Sequence, residues 1–184
     1  MSKRFVLLDR DGTINEEVDH LSDPAQIELV PGSLEALREL RALGLGLIVV
    51  TNQANVGRGL LSEEQLSRIH ARLASLLADG GVRLDAIYHC PHPPEDGCEC
   101  RKPKPGMALA AAADHGFELS AAFVVGDHAA DMGLGRAVGA TTIFVMTGHG
   151  KGAPDHATER ADHVAADLRE AAGIIRGIVM AEVG

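Results

Sequence analysis

Short, wholly apolar runs alternate along this chain with stretches of helical periodicity, and that alternation restricts the fold more than any other feature. Phe5-Val6-Leu7-Leu8, Leu47-Ile48-Val49-Val50 and Phe123-Val124-Val125 lack the polar/apolar alternation of a half-exposed strand. Each predicts a strand buried on both faces. Further strands are predicted at about 84–89 and 142–145. Between them, Leu34, Leu37 and Leu40 mark one face of a helix closed by Gly44 and Gly46. Ser62 and Gln65 have the spacing of a capping box and open a second helix, with Leu66, Ile69, Leu73 and Leu76 along one side. An Ala-rich helix is expected over about 107–115 and another near 131–138. The tail, with Val164, Leu168, Ile174, Ile175 and Ile178, predicts a closing helix. Five strands separated by helices and short joints make an α/β protein, a parallel sheet with helices on both faces. Right-handed crossovers bring every strand's C-terminal end to one edge, where such sheets bind ligands.

No linker, repeat or low-complexity stretch interrupts the pattern, so residues 1–184 are expected to form one domain. The formal charge of −9 argues against a broad nucleic-acid surface, which needs a basic face. No apolar run approaches the length of a membrane span, and the N-terminus lacks signal-peptide anatomy. A cytoplasmic protein is expected, and with no obvious apolar patch, a monomer.

The predicted strand ends carry the polar residues. The first strand runs into Asp9-Arg10-Asp11-Gly12-Thr13. Two carboxylates beside a glycine turn suit a hard cation and acid/base work, or else simply serve the turn. The second ends at Thr51-Asn52-Gln53, a hydroxyl with following backbone N–H groups that can hold an anion. The basic cluster Arg101-Lys102-Pro103-Lys104 is either a solvated loop or an anion clamp. The fourth strand ends at Gly126-Asp127, with Asp131 four residues on, either part of a metal site or a charge at a helix N-terminus. On one sheet edge these make the set that metal-assisted phosphoryl transfer requires.

Cys90, His92, Cys98 and Cys100 fall within eleven residues, and an odd number of clustered cysteines does not make a disulfide framework. Four N/S ligands suit tetrahedral Zn²⁺ in a structural site with no open position. His89 is an alternative ligand. The zinc loop, about 89–101, ends against Arg101 and Lys102.

The ordered set DRDGT (9–13), VVTNQ (49–53), CRKPKPGM (100–107) and VVGDHAAD (124–131) resembles the four motifs of the haloacid dehalogenase superfamily of phosphatases. With its Cys/His cluster before RKP, it is similar to a narrower group, the D-glycero-D-manno-heptose 1,7-bisphosphate and histidinol-phosphate phosphatases. The resemblance runs from about residue 5 to 151. It implies a capless, Rossmann-like haloacid dehalogenase fold with a zinc-binding loop. It also implies that Asp9 is the nucleophile, that Asp11 is the general acid and base, and that Thr51 and Lys102 hold the phosphoryl group. Mg²⁺ would be held by Asp9, Asp127 and the Asp11 carbonyl, with Asp131 in support, and Zn²⁺ by the cysteine loop.

Only about twenty residues separate Thr13 from the first helix, too few for a cap domain, so an open pocket is expected. The stretch Gln53-Ala54-Asn55-Val56-Gly57-Arg58-Gly59 and the stand-alone length resemble the heptose group, with histidinol phosphate as the second candidate substrate. A small phosphorylated sugar would meet Glu17, Val18, Asp19 and His20 on one loop, Asn52, Gln53, Ala54 and Arg58 on the next, and Arg101 and His128. Asp19-His20 stands where the group has Gly and an aromatic residue, and His128 where relatives can have Lys. The glycines at 133, 135 and 139 do not match the dinucleotide fingerprint, nor do those near Lys151 match a P-loop, so a mobile loop is expected at 148–152. His70, His115, His149, His156 and His163 read as solvated positions or helix-end charges.

Overall fold

The computed structural model describes residues 3–152, 158 and 160–182. Six parallel strands form one sheet: β1 (Phe5–Leu8), β2 (Gly46–Asn52), β3 (Ala86–Cys90), β4 (Phe123–Gly126), β5 (Thr141–Val145) and β6 (His163–Ala165), in the order β3-β2-β1-β4-β5-β6. Val6 lies beside Leu47 of β2 and Phe123 of β4, so β1 is central and buried on both faces. Successive side chains then point to opposite layers. Val6, Leu8, Val49, Phe123 and Val125 join one core with α1 (Ser33–Ala42), α3 (Glu63–Asp79) and α6 (Leu168–Ala181). Phe5, Leu7, Ile48, Val50 and Val124 join the other with α4 (Gly106–His115) and Leu134 of α5 (Ala129–Val138). A single turn, α2 (Ala54–Gly57), follows β2.

The helices start where local chemistry starts them. The Ser62 hydroxyl accepts from Gln65 N at 3.1 Å and Gln65 Oε1 accepts from Ser62 N at 2.9 Å, closing the capping box of α3. The buried face of that helix is Leu66, Ile69, Leu73 and Leu77, with Leu76 half-buried at its margin. Gly46 does not end α1 but starts β2, where a Cβ would lie 2.1 Å from the Phe5 ring.

The tail departs from the sequence expectation. Val164 belongs to a sixth, edge strand, and only Leu168 onward is helical. The spacing of Val164 and Leu168 imitates a helix face, but Asp167 intervenes, its carboxylate accepting from Glu170 N at 2.9 Å and capping the helix there. His156 lies outside the described residues. No described helix is long and apolar enough to cross a membrane.

Strand order reverses direction between β1 and β4, the switch point at which crossovers leave on opposite faces and a crevice opens. The loops leaving β1 and β4 meet there.

Candidate active site

The chain leaves β1 at Asp9, whose N–H still donates to Val125 O at 2.9 Å. Gly12 then turns it at φ +76°, and a Cβ there would stand 2.2 Å from Asp127 Oδ2. Glycine at this position is demanded twice, by the left-handed backbone and by the neighbouring carboxylate. Arg10 is 1% exposed and turns back onto Asp11, its Nε and Nη2 reaching the two carboxylate oxygens at 3.0 and 2.6 Å. Asn15 Nδ2 and Gln53 Nε2 add donors to Asp11 at 3.0 and 2.9 Å. Burial works to raise the Asp11 pKa, but the Arg10 charge and these hydrogen bonds win, holding it below the usual carboxylate value.

From β2, Asn52 grips the backbone of Lys102 at both ends: its Oδ1 accepts from Lys102 N at 3.0 Å and its Nδ2 donates to Lys102 O at 3.2 Å. Lys102, 4% exposed, therefore enters the crevice from the side, donating through Nζ to Asp9 Oδ1 (2.9 Å), Asp131 Oδ1 (2.7 Å) and Val50 O (2.7 Å). Burial disfavours its charge, yet Asp131 and Asp9 outweigh that and hold it protonated above the ordinary lysine range. Thr51 Oγ1 lies on the cleft wall and accepts from Gln53 Nε2 at 2.9 Å.

From β4 come Asp127, 2% exposed, and α5, whose N-terminus is closed by His128 and Asp131. His128 Nδ1 accepts from Ala130 N at 3.2 Å and Asp131 Oδ2 accepts from His128 N at 3.1 Å. Asp131 thus caps its helix with one oxygen and holds Lys102 with the other. Asp9, Asp127 and Asp131 have carboxylate oxygens within 4.8 Å of one another. Burial, then the charges of Asp9 and Asp131, push Asp127 up to about 8. Burial, opposed by Lys102 and reinforced by Asp9, pushes Asp131 up to about 7. Three clustered oxygen ligands facing one lysine are short of positive charge, and a hard divalent cation fits that deficit.

These groups line a cleft of about 430 Å³ together with Glu17, Asn52, Arg101, Pro103, His128, Ala130 and His149. Of the predicted sugar-contacting residues, Glu17, Asn52, Arg101 and His128 stand on its walls. Gln53 lies behind, bonded to Asp11 and Thr51. Val18 packs on the core, and Ala54 begins α2 outside the cleft lining. Asp19 and His20 point to solvent, their side chains 95% and 64% exposed, and Arg58 faces Glu95 at 3.8 Å.

His149 is not a bystander. Its main-chain N–H donates to Asp127 Oδ2 at 2.7 Å, and its ring Nδ1 lies 3.6 Å from Glu17 and 3.7 Å from Asp127. The loop 148–152 forms a 3-10 turn whose Gly148 packs against Gly12, leaving no space for a Cβ at either residue. Paired glycines at 148 and 150 were the available signal for such an approach. His70 is not a solvated position either. Its Nε2 is buried on α3, and burial, followed by the Arg10 charge, drives its pKa down to about 3.

Cys90, His92, Cys98 and Cys100 converge beside the lysine loop. Cys90 Sγ lies 3.0 Å from Cys100 Sγ and 3.5 Å from Cys98 Sγ, and His92 Nδ1 lies 3.6 and 3.3 Å from Cys90 and Cys100. A tetrahedron with Zn–S bonds of about 2.3 Å has edges of roughly 3.7 Å, so the cluster fits a zinc ion. Burial and the adjacent Cys100 sulfur push the Cys90 thiol up to about 12. His89 is turned away toward Glu63, 3.1 Å distant. Arg101 Nη1 donates to His92 O at 3.2 Å, tying the cluster to the residue before Lys102.

Comparison with known proteins agrees with this architecture. A HAD-hydrolase-like family model matches residues 99–171. The chain is 37% identical over 183 residues to a D-glycero-beta-D-manno-heptose-1,7-bisphosphate 7-phosphatase of Pasteurella multocida, covering 96% of this chain and 98% of that protein. It is 40% identical over 151 residues to the same-named protein of Pseudomonas aeruginosa, covering 82% and 85%. A crystal structure of the D,D-heptose 1,7-bisphosphate phosphatase from B. bronchiseptica, complexed with magnesium and phosphate, superposes with a TM-score of 0.85 at 32% identity, covering 95% of this chain and 98% of that one.

Proposed function

This chain belongs to the heptose-1,7-bisphosphate 7-phosphatase family of haloacid dehalogenase-like hydrolases, and we propose that it hydrolyses the 7-phosphate of D-glycero-β-D-manno-heptose 1,7-bisphosphate by way of an aspartyl-phosphate. The observation that carries this reading is Lys102 Nζ bridging Asp9 and Asp131 on the floor of a cleft that Asp127 also enters.

Asp9 is the nucleophile. Its free carboxylate oxygen attacks phosphorus as the bond between phosphorus and the sugar C7 oxygen breaks, and Asp11 passes a proton to that departing oxygen. Arg10, Asn15 and Gln53 orient Asp11 and hold it ionised in the free site, so the proton it passes is one it takes up as the phosphate ester binds. Water then attacks the aspartyl-phosphate, giving its proton to Asp11 and releasing inorganic phosphate and the Asp9 carboxylate. Lys102 and the Thr51 hydroxyl offset charge on the transferring group. Asp9, Asp127 and the main-chain carbonyl of Asp11 are the residues that would hold magnesium, which supplies further neutralisation of the phosphoryl oxygens when bound. Cys90, His92, Cys98 and Cys100 would hold zinc as a structural ion.

Glu17, Asn52, Arg101, His128 and His149 form the rim that receives the sugar and its remaining phosphate. The exposed large apolar residues, Leu60, Leu109, Val164 and Met180, are scattered over separate elements, which supports a monomer; a cytoplasmic location rests on the phosphorylated-sugar substrate of the relatives. Phosphate release from the two heptose bisphosphate anomers and from histidinol phosphate, with magnesium and against an Asp9→Asn blank, tests the assignment. The β anomer is expected to lead by about a hundredfold in kcat/KM, roughly 2.7 kcal/mol of transition-state discrimination. A preference for histidinol phosphate overturns the substrate, and turnover independent of Asp9 overturns the mechanism.

A further inference from the structure

The loop that leaves β5 meets the cleft through three consecutive residues, and each makes a different contact. Thr147 Oγ1 donates to the main-chain carbonyl of Gly12 at 2.6 Å. Gly148, at φ +47°, lies so close that a Cβ on it would stand 2.4 Å from Gly12 Cα and 2.3 Å from Asp127 Oδ2. His149 gives its main-chain N–H to Asp127 Oδ2 at 2.7 Å. The turn behind them is closed by Gly150 N donating to Thr147 O at 2.7 Å. Gly150 is itself pressed against Val145 O, where a Cβ would stand 2.1 Å away. One short segment after β5 therefore touches both the loop after β1 and the acid at the end of β4.

What the segment fixes follows from the planarity of the peptide group. In the trans Asp11–Gly12 peptide the N–H and the C=O point in opposite directions. Gly12 N donates to Asn15 O at 2.8 Å, which aims the Asp11 carbonyl away from Asn15. No hydrogen bond from another described residue reaches that carbonyl. The next peptide, Gly12–Thr13, carries the carbonyl that Thr147 holds, and its N–H donates to Arg10 O at 3.3 Å. Gly12, at φ +76°, has no side chain to restrain rotation, so hydrogen bonds set the two peptide planes that flank it. Of these three bonds, the one from Thr147 alone comes from outside the loop.

We propose that Thr147 is a positioning residue for the magnesium site: its hydroxyl ties the Gly12 carbonyl to the segment whose His149 N–H holds Asp127, which fixes the spacing between the Asp11 carbonyl and the Asp127 carboxylate before the ion arrives. Groups that orient metal ligands without touching the metal typically contribute about ten- to a hundredfold in affinity. Removing the hydroxyl also leaves the Gly12 carbonyl without its donor, which favours a shifted peptide plane. The inference rests on the Asp11 carbonyl and Asp127 holding magnesium, as proposed above.

The test titrates magnesium alone into the zinc-loaded, magnesium-free protein by calorimetry. Thr147→Val keeps the shape of the side chain and removes the donor. It is expected to raise the magnesium Kd about tenfold, with zinc still at one equivalent by metal analysis. Thr147→Ser keeps the hydroxyl and should stay within about threefold of the parent. A general loosening of the fold would lower the urea midpoint and the fraction of protein that binds, but it would not move the Kd of the folded remainder. An unchanged Kd in Thr147→Val, or a Thr147→Ser protein that binds as weakly as Thr147→Val, overturns the positioning role. Asp127→Asn, run alongside, separates the two readings. If it binds magnesium as tightly as the parent, the ligand assignment fails. If it weakens binding and Thr147→Val does not, only the role of Thr147 fails.

Discussion

Replacing Asp127 with asparagine should make the magnesium-free protein more stable while removing its activity. Asp127 is 2% exposed, and burial together with Asp9 and Asp131 pushes its pKa up to about 8 from an unfolded value near 3.8. Its folded pKa lies above its unfolded one, so between about pH 4 and pH 8 the native state binds more protons than the unfolded chain. Stability from this group is then fully present below about pH 4 and is lost as pH rises toward 8. At about 1.36 kcal/mol per pH unit, the loss between pH 5.5 and 8.0 is on the order of 3 kcal/mol. The three acids share this repulsion, so neutralising one recovers about 1–3 kcal/mol. Asparagine keeps the shape, and its carbonyl can still accept the His149 N–H that reaches Asp127 at 2.7 Å.

Urea unfolding at the two pH values, in buffers free of magnesium and of chelators so that zinc is retained, measures the difference. Asp127→Asn should gain on the parent at pH 8.0 and much less at pH 5.5. Magnesium reverses the order, because at about a hundredfold over its Kd it adds roughly 2.7 kcal/mol to the parent, and the variant has lost a ligand. A variant less stable than the parent at pH 8.0 without magnesium, or a pH-independent difference, refutes the reasoning.

Three other perturbations read separate parts of the structure. Cys100→Ser should lower bound zinc below one equivalent by metal analysis. It should also depress kcat, because the loop that carries Arg101 and Lys102 loses its anchor. In Gly12→Ala, the new methyl falls 2.2 Å from Asp127 Oδ2 on a backbone at φ +76°, and magnesium affinity measured by calorimetry should fall at least about tenfold. Ser62→Ala removes the hydroxyl that accepts from Gln65 N, and the urea midpoint should report a loss of about 1 kcal/mol with activity unchanged.

The parts of this molecule legible in the sequence are those whose causes are local. An all-apolar run such as Leu47–Val50 can only be a strand covered on both sides, and the acids at the ends of β1 and β4 follow from where those runs stop. The cysteine cluster is legible because its ligands lie within eleven residues. The sixth strand is only three residues long and carries no pattern of its own, so β5 decides it, through pairs such as Phe144 with Val164. His149 reaches the site because the fold brings loop 148–152 against Gly12, an approach that the glycines at 148 and 150 permit but do not by themselves specify.

That division has an electrostatic consequence. The motif acids Asp9 and Asp127, with Asp131, are concentrated around one lysine, an arrangement that is costly in a buried cleft. The contacts that make it tolerable are chiefly ones the fold creates between residues of the separate motifs. Asn52 holds the Lys102 backbone with two hydrogen bonds, so the cation is held in place before a ligand arrives. Asp131 serves both as helix cap and as lysine partner, so its charge is balanced whether or not a phosphoryl group is present. Arg10 is buried against Asp11 and keeps that acid's charge from adding to the other three. The result is a preorganised site whose remaining negative charge stays unmatched until a divalent cation enters, so magnesium affinity and metal-free instability at high pH share one cause.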